Sequence, residues 1–367
     1  MQSANTAARA PAPVAPSASP QFLERFLSAA ETQRDRDQAP SALRFDHFMR
    51  LALYDAELGY YAQPKRPRVG RHPGTDFYTA TSVGQNAANA NAASLFGELV
   101  AQSCLTLMGE AFCARATFVE IGAERGHGIL ENLAHPFAAS RTLSLGQPLE
   151  LSRADDAPLI VFSNELFDAQ PCRRFVWHQR CNAQNAPAPG WREVYVRAEN
   201  GALTEVEYPL GRVPKFLPKT APDGYRIDAA LDAKALLDQI AGQAWHGLFL
   251  AFDYGKTWAE LAEAMPQGSA RAYTGHRQTN DLLAQPGQQD LTCHICWDWL
   301  QDSLAENSFR DIALDTQEAF FVKHSGAFIA QQIAAEAQNL SPKKQALLQL
   351  LHPSHLGQKF QVLSAKR

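Results

Sequence analysis

The chain has 367 residues, 46% of them hydrophobic, with 34 Lys and Arg against 38 Asp and Glu. That length and apolar content can bury a substantial core. A net charge of -4 without a basic stripe argues against nucleic acid as the main ligand, and no apolar run nears the roughly 18 residues of a membrane-spanning helix. The six cysteines are scattered without a secretion signal, the usage of a reduced, cytoplasmic protein.

Residues 1–20 are rich in Ala, Pro and Ser, with one arginine and no acid, which predicts a disordered tail. Apolar residues at helical spacing predict helices over 22–34 and 43–56. A long loop follows at 59–82, rich in Gly, Pro and aromatics. A loop of that length in a compact chain is functional or disordered, and its aromatics argue against disorder. A polar tract at 84–94 grades into a helix over 95–107.

Thr117–Ile121 reads as a strand feeding a loop with Gly122, Gly126 and Gly128, followed by a helix over 128–134. Glycines at a strand–helix turn are weak evidence alone. Their spacing is not the GxGxxG of dinucleotide enzymes, which disfavours an NAD-dependent oxidoreductase. It fits the looser loop of methyltransferases that use S-adenosylmethionine, with Glu120 placed to organise that loop and Glu124 between its first two glycines.

Leu159–Ser163 and Gly247–Asp253 are continuous apolar runs, the pattern of strands buried on both faces of a parallel sheet. Each ends in acids, Glu165 and Asp168 after the first and Asp253 closing the second. Together they predict an α/β, doubly wound sheet with its ligand crevice at the strand C-termini. A carboxylate there can hold a cationic nitrogen; the competing reading makes Asn164, Glu165 and Asp168 a helix N-cap. Between these strands, residues 191–210 alternate around Asn200-Gly201, an inserted antiparallel hairpin. Cys293-His294-Ile295-Cys296 has no second Cys pair and only His276 nearby, so zinc is disfavoured. The tail 356–367 alternates as a final strand.

Several stretches together resemble the MidA-like family of S-adenosylmethionine-dependent methyltransferases, which includes the mitochondrial complex I assembly arginine methyltransferase. They are LALYDAELGYYA (51–62), DFYTATS (76–82), LFGELVAQ (95–102), VEIGAERG (119–126), SNELFDAQP (163–171), FDYG (252–255), AYTGHR (272–277), PGQQDLTCHI (286–295) and LGQKFQVL (356–363). The resemblance implies a Rossmann-like domain over 111–367, with an inserted hairpin region about 172–215, behind an N-terminal helical region and pocket loop over 21–110. It implies S-adenosylmethionine as cofactor and a protein, through arginine, as substrate. Gly122, Ala123 and Gly126 would line the methionine end, with Glu120 fixing the loop. Glu124 stands where the family has its middle glycine, able to pair with the cofactor's ammonium. Glu150 is the candidate for the ribose acid, because little chain separates the glycine loop from Ser163. Glu165, Asn164 and Asp168 would orient the acceptor nitrogen. Asp76, Phe77 and Tyr78 would close over a pocket shared with Asp253, Tyr254 and His276. The rival is a catalytically inactive relative that binds a partner as an assembly factor.

Overall fold

The computed structural model describes residues 18–33, 41–63, 80, 83, 94–123, 127–152, 156–179, 189–335 and 341–367. The expected pocket residues Asp76, Phe77 and Tyr78, and the loop residues Glu124 and Gly126, lie outside them, as do residues 1–17. The structure is mixed α/β. Its largest sheet holds six strands: β1 (Thr117–Ile121), β2 (Ala139–Leu143), β3 (Leu159–Asn164), β4 (Gly247–Asp253), β5 (Arg310–Thr316) and β6 (Gln361–Lys366), in the order β5-β6-β4-β3-β1-β2. The pairs β1–β2, β1–β3 and β3–β4 are parallel, and only the C-terminal β6 runs against its neighbours β4 and β5. The chain steps from β1 to β2 on one side and returns to β3 on the other. The order therefore reverses between β1 and β3, and such a reversal opens a crevice at the strand C-termini.

Strand alternation divides the core into two layers. Val119, Ile121, Leu159, Val161, Phe249 and Ala251 face helices Pro20–Thr32, Phe45–Tyr54, Leu231–Ala241 and Trp297–Glu306. Phe118, Ile160, Phe162, Leu248, Leu250 and Phe252 face helices Leu95–Met108, Gln317–Ala335 and Pro342–Leu351. This double burial explains why β3 and β4 read as unbroken apolar runs. A fully buried Phe or Leu stabilises by about 1.5–3 kcal/mol, so the two central strands anchor the molecule.

The N-terminal helix begins at Pro20, inside the stretch expected as tail. Ser19 caps it, its hydroxyl accepting from Phe22 N at 3.1 Å, and Ala18 is buried. Two further expectations are corrected. The helix over 128–134 does not form; turns occupy that stretch. Asn132 takes a left-handed φ of +59°, and Pro136 disfavours helical geometry at His135. The inserted hairpin is real, with Gly190–Glu199 paired to Ala202–Pro209 across a left-handed Asn200-Gly201 turn. It belongs, however, to a five-stranded antiparallel sheet that also takes in Ala42–Arg44, Arg173–His178 and Arg226–Ala229. That sheet reaches beyond the expected 172–215 and recruits its edge from the N-terminal region. Among the described residues, no helix is long and apolar enough to cross a membrane.

Candidate active site

Two loops meet at the strand ends where the order reverses between β1 and β3, and they form the two walls of the candidate site. The first is the turn after β1. Glu120 is buried, and its carboxylate accepts from the Ile129 backbone N–H at 2.8 Å, closing the turn on itself. With no helix following, this side chain does the work that a helix start would otherwise do. Burial drives the Glu120 carboxyl up to about 7, opposed by the Ile129 bond. Gly122 sits at φ +86°, donates to Leu143 O at 2.8 Å, and is followed by the buried Ala123. A Cβ on Gly122 would lie 2.8 Å from Leu166 Cδ1, at the other wall. The loop after β1 and the loop after β3 thus pack directly against each other. Glu150 is exposed beyond β2, and its backbone carbonyl accepts from Arg141 at 2.7 Å.

One expected result follows. Gly122→Ala forces a side chain into left-handed backbone, at a cost of about 1–2 kcal/mol, and pushes Leu166 aside. It should lower the melting temperature by a few degrees and weaken nucleoside binding at the crevice by about tenfold or more. Thermal unfolding and calorimetry on both proteins measure the two effects; unchanged binding would remove Gly122 from the site.

The second wall is acidic. No helix follows β3, so the N-cap reading of Asn164, Glu165 and Asp168 fails; the chain instead turns at Leu166–Gln170 and enters the antiparallel sheet. Pro171, which bars helix continuation, accounts for this. Glu165 is half-buried, at φ +50°, a conformation few non-glycine residues take. Its amide donates to Phe252 O at 2.9 Å, and its carboxylate accepts from the Asn164 amide at 3.0 Å. Asp253, fully buried, accepts from Phe167 N and Tyr254 N, both at 2.8 Å, and so pins the Glu165 loop onto the end of β4.

Burial raises all three carboxyls; repulsion from neighbouring acids adds to it at Glu165 and Asp168, while backbone N–H bonds oppose it at Asp253. Glu165 is pushed up to about 8, Asp253 to about 7, and Asp168 well above the usual range. At neutral pH Glu165 and Asp168 are therefore mostly protonated and Asp253 about half so. Ser163 Oγ and Asn164 Oδ1 are buried at the same strand end without a hydrogen-bond partner among the described residues, polar atoms that a ligand can satisfy. Tyr254 packs its ring 4.0 Å from that of Phe360, beside Asp253. His276 stands exposed in the turn of the hairpin Arg271–Thr274 and Arg277–Thr279.

Sequence reasoning missed part of this wall. Asp290, buried at 3% exposure, heads a short strand, Asp290–Thr292, and accepts from the Tyr61 hydroxyl at 2.8 Å. Tyr61 stacks on Tyr54, whose hydroxyl donates to Ala169 O at 2.9 Å. Both segments lie within motifs quoted above, yet only the fold joins them to Glu165. Cys293 and Cys296 are free and buried, and burial lowers His294 to about 4. Among the described residues, no group of three or more His, Cys, Asp or Glu could hold a metal ion.

Residues 146–312 match the family model described as "Putative S-adenosyl-L-methionine-dependent methyltransferase"; the match takes in Glu165, Asp168, Asp253 and Asp290. The fold is similar to that of a COG1565 superfamily member from Burkholderia thailandensis, described as a "likely methyl transferase" bound to S-adenosyl-homocysteine. Identity is 21%, the TM-score is 0.73, and the alignment covers 96% of this chain and 95% of that one. It is also similar to a native structure of a COG1565 superfamily protein from the same organism, at 20% identity and a TM-score of 0.69, covering 96% and 95%. No curated protein matches the chain. The family match agrees with the resemblance read from the motifs, with methyltransferase activity and with S-adenosylmethionine as the cofactor, and the two structures share the fold.

Proposed function

We propose that this chain, an S-adenosylmethionine-dependent methyltransferase by its family match, has a Rossmann-like catalytic sheet and methylates a side-chain nitrogen of a protein, arginine fitting best. The observation that carries the acceptor reading is the convergence of Glu165, Asp168 and Asp253 beside a reversal in strand order, next to polar atoms without partners among the described residues. The residues fit the cofactor. It carries an ammonium and a sulfonium against one carboxylate, so it is net positive and suits an acid-rich crevice. Gly122 exposes backbone in a left-handed turn, and Ala123 adds little bulk. When bound, the cofactor supplies an electrophilic methyl group.

The protein's part is positioning and charge. Glu165 and Asp168 hold the acceptor nitrogen, and the Glu165 carboxylate takes the proton that the nitrogen loses on methylation. Asp253 does not need to touch substrate. Its two backbone bonds keep Glu165 and Asp168 at the strand end. A guanidinium fits this wall because its forked donors match carboxylate geometry.

Calorimetric titration with S-adenosylhomocysteine, followed by transfer of labelled methyl to arginine-containing peptides, tests the reading. Micromolar binding with transfer supports it. Binding without transfer would favour the inactive, partner-binding relative, and absence of binding would end both the cofactor and the enzyme readings.

A further inference from the structure

We infer that Tyr61 is a positioning residue of the acceptor site, holding Asp290 as a further carboxylate beside Glu165 and Asp168. This deepens the reading above and rests on it. The argument begins with three chain segments that are remote in sequence. Glu165 and Asp168 lie in the loop after β3, Asp290 heads its own short strand, and Tyr54 and Tyr61 flank the end of a helix near the N-terminus.

Hydrogen bonds lock these three segments together. Cys293 N donates to Asp168 O at 2.8 Å, fixing the Asp290 strand against the β3 loop. Tyr54 donates to Ala169 O at 2.9 Å, and Tyr61 donates to Asp290 Oδ1 at 2.8 Å. The two tyrosine rings are stacked, 5.5 Å apart and 21° from parallel. The stack is therefore a bracket with one hydroxyl on each acid-bearing segment.

The bracket is itself held tightly. Gln63 Nε2 donates to Gly287 O at 2.8 Å, and a Cβ on Gly287 would fall 2.2 Å from Leu58 O. Gly287 also lies at φ +81°, so the turn before Asp290 needs glycine for two reasons. Tyr273 is paired across the strand with Asp290, and its hydroxyl donates to Gln278 Oε1 at 3.0 Å. The electrostatic influence of Asp290 is felt at Glu165, Asp168 and Tyr273, which places its carboxylate in their neighbourhood.

A core tyrosine could hydrogen-bond to an acid for stability alone. Two features argue for more. The hydroxyls bond to the two segments that bear the acids, and a buried Asp290 would be replaced by an apolar residue at lower cost if only packing mattered. The arrangement makes sense if three carboxylates must keep a fixed spacing around a planar cation.

The test uses the full chain, saturating S-adenosylmethionine, and a pool of arginine-centred heptapeptides as acceptor. Tyr61→Phe keeps the ring stack and removes the hydroxyl. The expected result is a KM for the pool raised about tenfold, with kcat lowered less and S-adenosylhomocysteine affinity within about twofold of wild type. Asp290→Asn should give the same pattern, and the double variant should be no worse than Asp290→Asn alone, since the two residues act as one unit. A merely structural role would lower kcat and cofactor affinity together, or give additive effects; either outcome overturns the inference, as does an unchanged KM. If Tyr61→Phe does not fold, Asp290→Asn decides by the same split between KM and kcat. Wild type that binds S-adenosylhomocysteine but leaves the pool unmethylated would overturn the arginine reading and this inference with it.

Discussion

Replacing Glu165 by Gln should lower methyl transfer by about a hundredfold or more while leaving fold and cofactor affinity nearly intact. The two side chains have the same shape. The carbonyl of the substituted amide can still accept from the Asn164 amide, which now reaches the Glu165 carboxylate at 3.0 Å, and the backbone bond to Phe252 O is untouched. What is lost is the ability to become an anion. A guanidinium or ammonium then meets a neutral group, and the proton released on methylation has no carboxylate to receive it. The left-handed φ of Glu165 is as costly for Gln as for Glu, so backbone strain cancels between the two proteins. Initial rates with arginine-centred peptides, alongside S-adenosylhomocysteine titrations, measure the two quantities. A transfer rate within threefold of wild type at equal cofactor affinity would show that Glu165 is not the acceptor's anchor.

Much of the sheet was legible because burial on both faces leaves a plain mark. Leu159–Ser163 and Gly247–Asp253 can be so continuously apolar only where helices cover both sides of a strand. The Asn200-Gly201 turn was equally readable, since two consecutive left-handed residues have few sequence solutions. The turn after β1 was read in part. Gly122 and Glu120 stood out, but periodicity could not show that a carboxylate would replace the expected helix, because the bond from Ile129 to Glu120 spans nine residues. The second sheet hid its size for a similar reason. Ala42–Arg44 joins Tyr195–Arg197 from far earlier in the chain, and a three-residue strand has no pattern of its own.

The acid wall was half legible. Glu165 and Asp253 ended recognisable strands, whereas Asp290 is brought in by a strand too short to predict and by a tyrosine more than two hundred residues earlier. The helix-cap reading of Asn164 and Glu165 failed on tertiary grounds. Local chemistry favoured a helix start, but Pro171 and the departure of the chain into the antiparallel sheet forbade one.

The ligand-free protein should lose stability as pH rises from about 5.5 to 8.5, against the common pattern for carboxylates in ion pairs. The sign follows from the buried Asp253 and Glu120 and the half-buried Glu165, and Asp168 acts in the same direction. Glu165 has moved from 4.5 to about 8, Asp253 from 3.8 to about 7, and Glu120 from 4.5 to about 7, each chiefly through burial. Above the unfolded values, the unfolded chain has released these protons and the folded protein still holds them. Folding then takes up protons, so raising the pH through this window favours unfolding, by up to about 1.4 kcal/mol per pH unit for each group still protonated. Asp253 and Glu120 stop contributing near pH 7, and Glu165 near pH 8. The melting temperature should therefore fall across the window and level off at its upper end. Glu165→Gln removes one of these protons from the balance, so its curve should be shallower, and its gain over wild type should grow up to about pH 8. Thermal unfolding of both proteins in buffers of matched ionic strength measures the difference curve, in which the titrations they share cancel. Parallel curves would mean that Glu165 is ionised in the folded protein, and the crevice would then attract a cation by standing charge. A widening gap means that Glu165 waits neutral, so a cationic acceptor that draws it into the charged form couples acceptor binding to proton release.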